Sequence, residues 1–264
     1  MMFANVALKT LRDNRRALFW WSFGLVAFVV VNVLFYPDFK DQTEFNKLLD
    51  SDALKAFTGN ITSFTSPEGY MNAQWFAMVA PILLIIYAVT QGTNLIAGEE
   101  GRRTLPLLLA NPVSRERIIC DKFAALKIGV LLLAAVQLAA LAVSGPFFDL
   151  SYGFWELASA SISLFLLALL YGGIAFLLGA ATGNRSLATG VTVTLVAAGY
   201  LLNSLAPLVK DLEPFQKYSP FYLYYDNDPL TNGLDWTHAA ILAGLILVTF
   251  LLSLVAFRRR DVAA

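Results

Sequence analysis

Side chains able to do chemistry are few in this sequence, and they gather between residues 98 and 122. The stretch reads Gly98-Glu-Glu-Gly-Arg-Arg-Thr-Leu-Pro-Leu-Leu-Leu-Ala-Asn-Pro-Val-Ser-Arg-Glu-Arg117, then Ile-Ile-Cys-Asp-Lys122. Carboxylates and guanidinium groups flank the apolar run Leu105–Leu109, a pattern suited to recognition and not to bond-making. Catalysis needs a nucleophile with a base, paired carboxylates or a metal site. The chain has one histidine, His238, and one cysteine, Cys120. Neither a metal-ligand cluster nor an internal disulfide can be assembled from these, so no catalytic or metal residues are assigned. No Gly-x-x-x-x-Gly-Lys-Ser/Thr phosphate loop occurs, so the chain is not expected to carry ATPase chemistry.

A second set of polar residues lies inside apolar sequence. Thr90, Gln91, Thr93 and Asn94 cluster together, and Thr189, Thr192 and Asn203 share a stripe with Gly199. Polar side chains surrounded by apolar sequence either bond between helices or line a cavity. Thr90, Gln91, Asn94, Thr189, Thr192 and Asn203 are the candidate lining of a path, and interhelical bonding is the competing reading.

The elements that must position these residues follow from where charge is missing. Six runs contain no Asp, Glu, Lys or Arg: Ala17–Pro37, Gly69–Gly98, Ile128–Phe148, Leu157–Asn184, Ser186–Val209 and Trp236–Phe257. A helix crossing the roughly 30 Å hydrocarbon core needs about 20 mostly apolar residues, and every run is long enough. Buried helices of a soluble protein would show a polar face every third or fourth residue, which these lack for several turns. Six spans are expected, at about 17–37, 72–98, 123–146, 157–183, 186–208 and 237–257. Composition agrees: 58% of the 264 residues are hydrophobic and 14% charged, against about 45–50% and about 25% in soluble domains. With 19 basic and 19 acidic residues, there is no excess positive charge for nucleic acid.

That neutrality hides a polarised molecule. Six spans put 14 of the 19 Lys and Arg residues on one side, with a net charge of +8 there and −8 on the other. The positive side is expected to be cytoplasmic, with both termini inside. Arg15-Arg16 ahead of an apolar run resembles a twin-arginine signal, but the run is longer than a cleaved signal requires, and it reads as a retained span. The chain is therefore expected to form one transmembrane domain over 1–264.

Residues 2–16 place Phe3, Val6, Ala7 and Leu11 on one face and Lys9, Arg12 and Arg16 on the other, as in a helix lying in the membrane interface. A basic flank that only sets topology is the other reading. Glu44–Phe57 is expected to form a short helix in the outer loop. Ser114 is placed to cap the helix rising into the third span, with Glu116 in its first turn. Gly179 and Gly183 form a small-xxx-small pair expected to pack helices within the subunit, with dimerisation through this face as the alternative. The leucine run is too short to span and too apolar for a free loop, so it asks for cover by lipid or a partner.

Glu99-Glu100, Thr104-Leu105, the leucine run, Pro112-Val113-Ser114-Arg115 and Lys122 resemble the motif of type-2 ATP-binding-cassette transporter permeases. The similarity extends over the whole chain. The basic start is similar to that family's elbow helix, and Ser219-Pro220-Phe221 with Phe257-Arg-Arg-Arg-Asp261 is similar to its ending. Arg103 departs from the pattern, standing where the family typically has Gly. The resemblance implies an all-α integral membrane fold with six transmembrane helices, an interfacial elbow helix and a short cytoplasmic coupling helix within 99–122. It also implies that two such subunits, identical or different, pair with each other. Each docks on a separately encoded ATPase, two copies in all, that carries the ATP and magnesium; this chain itself binds no cofactor. On that reading Leu105, Leu107, Leu108 and Leu109 form the docking surface, with Glu99, Glu100, Arg103, Thr104, Pro112 and Arg115 around it. The expected role is an ATP-driven exporter in the plasma (inner) membrane. The alternative is a passive channel or a secondary transporter without an ATPase. Ion-coupled carriers usually carry charge within the membrane, and the six runs have none. An intramembrane enzyme finds no catalytic constellation.

Overall fold

A chain this apolar satisfies its backbone in lipid only through internal helical hydrogen bonds or a closed barrel, and the described residues choose helices throughout. The computed structural model describes residues 6–40, 66–105 and 113–260. Its helices are α1 (Val6–Asp13), α2 (Arg15–Lys40), α3 (Pro67–Gly101), α4 (Arg115–Ser144), α5 (Phe154–Thr182), α6 (Arg185–Leu205), α7 (Pro220–Tyr225), α8 (Pro229–Asn232) and α9 (Trp236–Arg259). Six of them, α2 to α6 and α9, are long and apolar enough to cross a membrane. No strand occurs among the described residues. The expected helix Glu44–Phe57 and residue Phe3 lie outside them.

Local chemistry sets the helix ends. Ser66 accepts from the Gly69 amide ahead of Pro67 at the start of α3, where a missing proline N–H costs nothing. Ser114 accepts from the Arg117 amide at the start of α4, as its position predicts. Asn184 caps α6 through the Leu187 amide. Asp235 caps α9 through the amides of Thr237 at 2.7 Å and His238 at 3.1 Å. The His238 bond above all, aided by that of Thr237, holds the Asp235 carboxyl below its ordinary value.

The helices surround α5, whose most apolar stretch is 67% buried, against 17% for that of α2. The closest approach is between α3 and α5. A Cβ on Gly92 would lie 2.4 Å from the Gly172 carbonyl oxygen, and one on Gly172 would lie 3.0 Å from the Ala88 Cβ. Gly179 faces Ala97 across the same seam, whereas Gly183 (φ 65°) ends α5 in the left-handed region. The expected 179/183 packing pair is therefore one packing residue and one helix terminator. Lipid offers apolar side chains no reason to leave it, so this backbone contact supplies the dispersion that joins the spans.

Helix α1 is separated from α2 by a break at Asn14. It packs on α4, with Val6 and Thr10 buried, and the Val6 amide donates to Asp121 Oδ2 at 3.1 Å. Leu8 is exposed, while Ala7 and Leu11 are half-buried. At the acidic end of the molecule α7 and α8 fill the mouth of the bundle. Tyr224 donates to the Phe76 carbonyl, and Asn72 donates to Asp228.

Candidate functional site

The arginine-rich end carries the candidate site, and α3 delivers its first half. From Asn94 to Gly98 the helix widens into a π-helical turn, a local insertion often found at functional positions. It then presents Glu99 and Glu100 and stops. The Arg103 amide bonds the Glu100 carbonyl, and the Thr104 amide bonds that of Glu99, both at 2.9 Å. This is a Schellman ending, and it requires a left-handed residue at position 103. Arg103 adopts φ 58° there. The backbone thus keeps the geometry for which glycine is ordinarily chosen.

The second half comes from α4, which opens with Arg115-Glu116 and carries Asp121 and Lys122 a turn or two higher. Lys122 Nζ lies 2.6 Å from Glu99 Oε1, and the lysine is fully buried. A buried charge is tolerated only when paired, and removing one partner of such a pair costs about 3–5 kcal/mol. This contact therefore ties the end of α3 firmly to α4.

Arg260, just past α9, joins the remaining pieces. Its guanidinium pairs with Glu100 and donates to the Ala180 carbonyl at 3.2 Å. Its own carbonyl accepts from Arg115 Nη1 at 2.8 Å. Gly183 lies against this cluster, and a Cβ there would collide with both Arg260 and Glu100. Arg258 adds a pair with Glu116 at 3.2 Å, an exposed contact of small energetic weight. The two stems of the 99–122 segment are thereby fastened to α5 and α9 as well as to each other.

Among the expected docking residues, Leu107, Leu108, Leu109 and Pro112 lie outside the described residues. Leu105 is fully buried in the hydrophobic core, not on the surface. Arg103 and Thr104 are exposed. Glu99, Glu100 and Arg115 are half-buried and spend their charge on the intrachain bonds just described.

The candidate path residues stand in different surroundings. Thr90 is exposed, Gln91 is buried, and Asn94 folds over Gly98, where a Cβ would lie 2.9 Å from its Oδ1. Thr189 is half-buried, and Thr192 is buried with its hydroxyl on the Ala188 carbonyl. Asn203 accepts from Gln216.

Sequence reasoning passed over two features. Arg260 was visible only within the basic run Arg258–Arg260, with nothing to mark it as the partner of Glu100. The other is Gln137, fully buried with neither end of its amide hydrogen-bonded among the described residues. Trp75 Nε1 and Ser161 Oγ are buried and likewise unbonded. Trp75, Gln137 and Ser161 each stand seven or eight residues from the acidic end of their own helices, α3, α4 and α5. The signal was a lone glutamine in Ile128–Phe148. A buried polar group without a partner costs about 1–3 kcal/mol, so its presence in the bundle asks for a use.

The model of the family described as ABC-2 family transporter protein matches residues 4–262. The chain is also 26% identical over 205 residues to the uncharacterized protein YhcI of Bacillus subtilis (strain 168), covering 69% of this chain and 66% of that relative's length.

Proposed function

Because the chain belongs to the ABC-2 family of transporter proteins, making it a multi-pass membrane component of a transporter, we propose that it is the permease subunit of an ATP-driven exporter. Its arginine-rich end faces the cytoplasm of a cell whose plasma membrane it spans. A separately encoded ATPase docks on the segment 99–122, with Leu107, Leu108 and Leu109 as the apolar contact. ATP and magnesium reside on that ATPase. A second permease subunit completes the complex.

The observation that carries this reading is the fastening of the 99–122 stems by Glu99–Lys122, Glu100–Arg260 and Arg115–Arg260. A partner pressing on this segment displaces the ends of α3, α4, α5 and α9 together. Rigid helices turn a small displacement at one end into a rearrangement along the bundle. The roles of Glu99, Glu100 and Arg115 are then to transmit force, and the surface for the partner is left to Arg103, Thr104 and the leucines. The buried, unbonded polar groups of Gln137, Trp75 and Ser161 are offered to a cargo able to hydrogen-bond within the bundle.

The test is reconstitution with the ATPase in proteoliposomes. Glu100→Lys is expected to abolish cargo-stimulated hydrolysis and transport while the subunits still co-purify. Adding Arg260→Glu is expected to restore both, because the pair is remade with its signs exchanged. Leu107→Asp is expected to prevent co-purification. Full transport by the single Glu100→Lys variant, or transport at full rate without any ATPase, would overturn the reading.

A further inference from the structure

A cavity of about 280 Å³ opens between α2 and α3, lined by Trp20, Trp21, Gly24, Leu25, Phe28 and Leu83. Leu25 forms its buried floor, while Trp20 and Phe28 stand exposed as walls. The groove is bracketed at both ends by aromatic pairs. Trp21 meets Tyr87 edge-on with ring centres 5.8 Å apart, and Phe28 meets Trp75 at 6.1 Å. From Trp21 to Phe28 the helix rises about 10 Å.

Gly24 makes this space. A Cβ at that position would have no neighbour within 4 Å, so the glycine does not serve helix packing as Gly92 and Gly172 do. Glycine inside a helix costs about 1 kcal/mol relative to alanine, and the residue gained for that cost is an open slot facing the bilayer. An apolar slot open to the bilayer at this position fits a chain of hydrocarbon.

Charge decides which hydrocarbon chain. Arg16 precedes Trp20 by one turn on the stripe that continues through Gly24 to Phe28, and Arg15 and Arg12 stand beside it. All three arginines are exposed, with one intervening acid, Asp13. Basic groups at the membrane surface attract anionic headgroups, and a guanidinium grips phosphate in a planar fork. Tryptophan favours the depth between headgroup and hydrocarbon, so Trp20 and Trp21 set the level at which one becomes the other.

We propose that this groove is a binding site for one anionic phospholipid of the leaflet at the arginine-rich end. Its acyl chain lies against Gly24, Leu25 and Leu83 between Trp20 and Phe28, and its phosphate sits on Arg15 and Arg16. The site tethers α1 and the start of α2 to the membrane surface beside α3. This assignment is independent of how the 99–122 segment works.

The test uses quenching of tryptophan fluorescence by brominated lipids. The full chain carrying Trp155→Phe and Trp236→Phe is reconstituted in mixtures of phosphatidylglycerol and phosphatidylcholine, with one or the other brominated. Brominated phosphatidylglycerol is expected to quench at about fivefold lower mole fraction than brominated phosphatidylcholine. Arg15→Gln with Arg16→Gln is expected to remove that preference. Gly24→Leu, which fills the groove from an exposed position, is expected to reduce quenching by both lipids. Unchanged elution of each variant as a monodisperse species establishes that it has folded. Equal quenching by the two lipids in the parent protein would overturn the proposal, leaving only ordinary annular contact. So would a preference that survives loss of both arginines. Disulfide cross-linking of Gly24→Cys between two copies in a Cys120→Ser background would assign the groove to a protein neighbour and overturn it equally.

Discussion

Arg103 shows how far a single residue can depart from preference when the surrounding hydrogen bonds demand it. The Schellman bonds from Arg103 and Thr104 to Glu100 and Glu99 hold a left-handed φ of 58°, at a cost of about 1 kcal/mol for a side chain with a Cβ. Arg103→Gly is therefore expected to raise the midpoint of thermal unfolding in detergent. If Arg103 meets the ATPase, the same variant weakens co-purification, so stability and docking move in opposite directions. Gln137 poses the converse case. Replacing it by leucine removes two unbonded polar groups from the core, and the midpoint is expected to rise by an amount corresponding to about 1–3 kcal/mol. Transport is expected to fall if the amide serves cargo. Unchanged transport in Gln137→Leu would assign the residue to packing alone.

At the scale of elements, the seam between α3 and α5 and the cap of α9 make separate predictions. Gly92 approaches the Gly172 carbonyl so closely that no side chain fits without separating two backbones. Overpacking costs about 1–3 kcal/mol when side chains can move, and backbone cannot, so Gly92→Leu is expected to exceed that range and to prevent accumulation of folded protein. Gly190→Leu, on a helical glycine with open space around it, is expected to be tolerated. The α9 cap titrates. Since the folded-state value of Asp235 is depressed, its stabilisation is complete above the ordinary carboxylate range and is lost as pH falls through the depressed value. Amide exchange at Thr237 and His238, corrected for its intrinsic pH dependence, is expected to accelerate on acidification, and Asp235→Asn is expected to flatten that response.

For the whole molecule the decisive property is polarity along the bundle axis, with the Arg-rich stems, Arg258 and Arg260 at one end and the acidic loops at the other. Orientation is checked by single cysteines in a Cys120→Ser background. Arg102→Cys, at an exposed position of the arginine-rich end, is expected to react with a membrane-impermeant maleimide only in inside-out vesicles. Trp155→Cys, exposed at the opposite end, is expected to react only in right-side-out vesicles. The reverse pattern would place the 99–122 segment outside, where no cytoplasmic ATPase could reach it.

Six charge-free runs, the cap at Ser114 and the lopsided distribution of arginine were all legible in one dimension. Hydrocarbon admits apolar helices and excludes ionised groups, so the positions of charges along the chain already divide it into spans and loops. Family membership was legible too, because its motif is a short contiguous string. What no linear reading could reach were relations between distant positions. Glu100 meets Arg260 across 160 residues, and Gly92 meets Gly172 because two helices pack without side chains between them. Leu105 looks like a surface leucine in the string and is buried in three dimensions. Such contacts depend on the azimuth at which each helix faces its neighbours. Lipid surrounds every face of an apolar helix equally, so hydrophobicity does not encode that angle, and only close packing and the pairing of buried charge decide it.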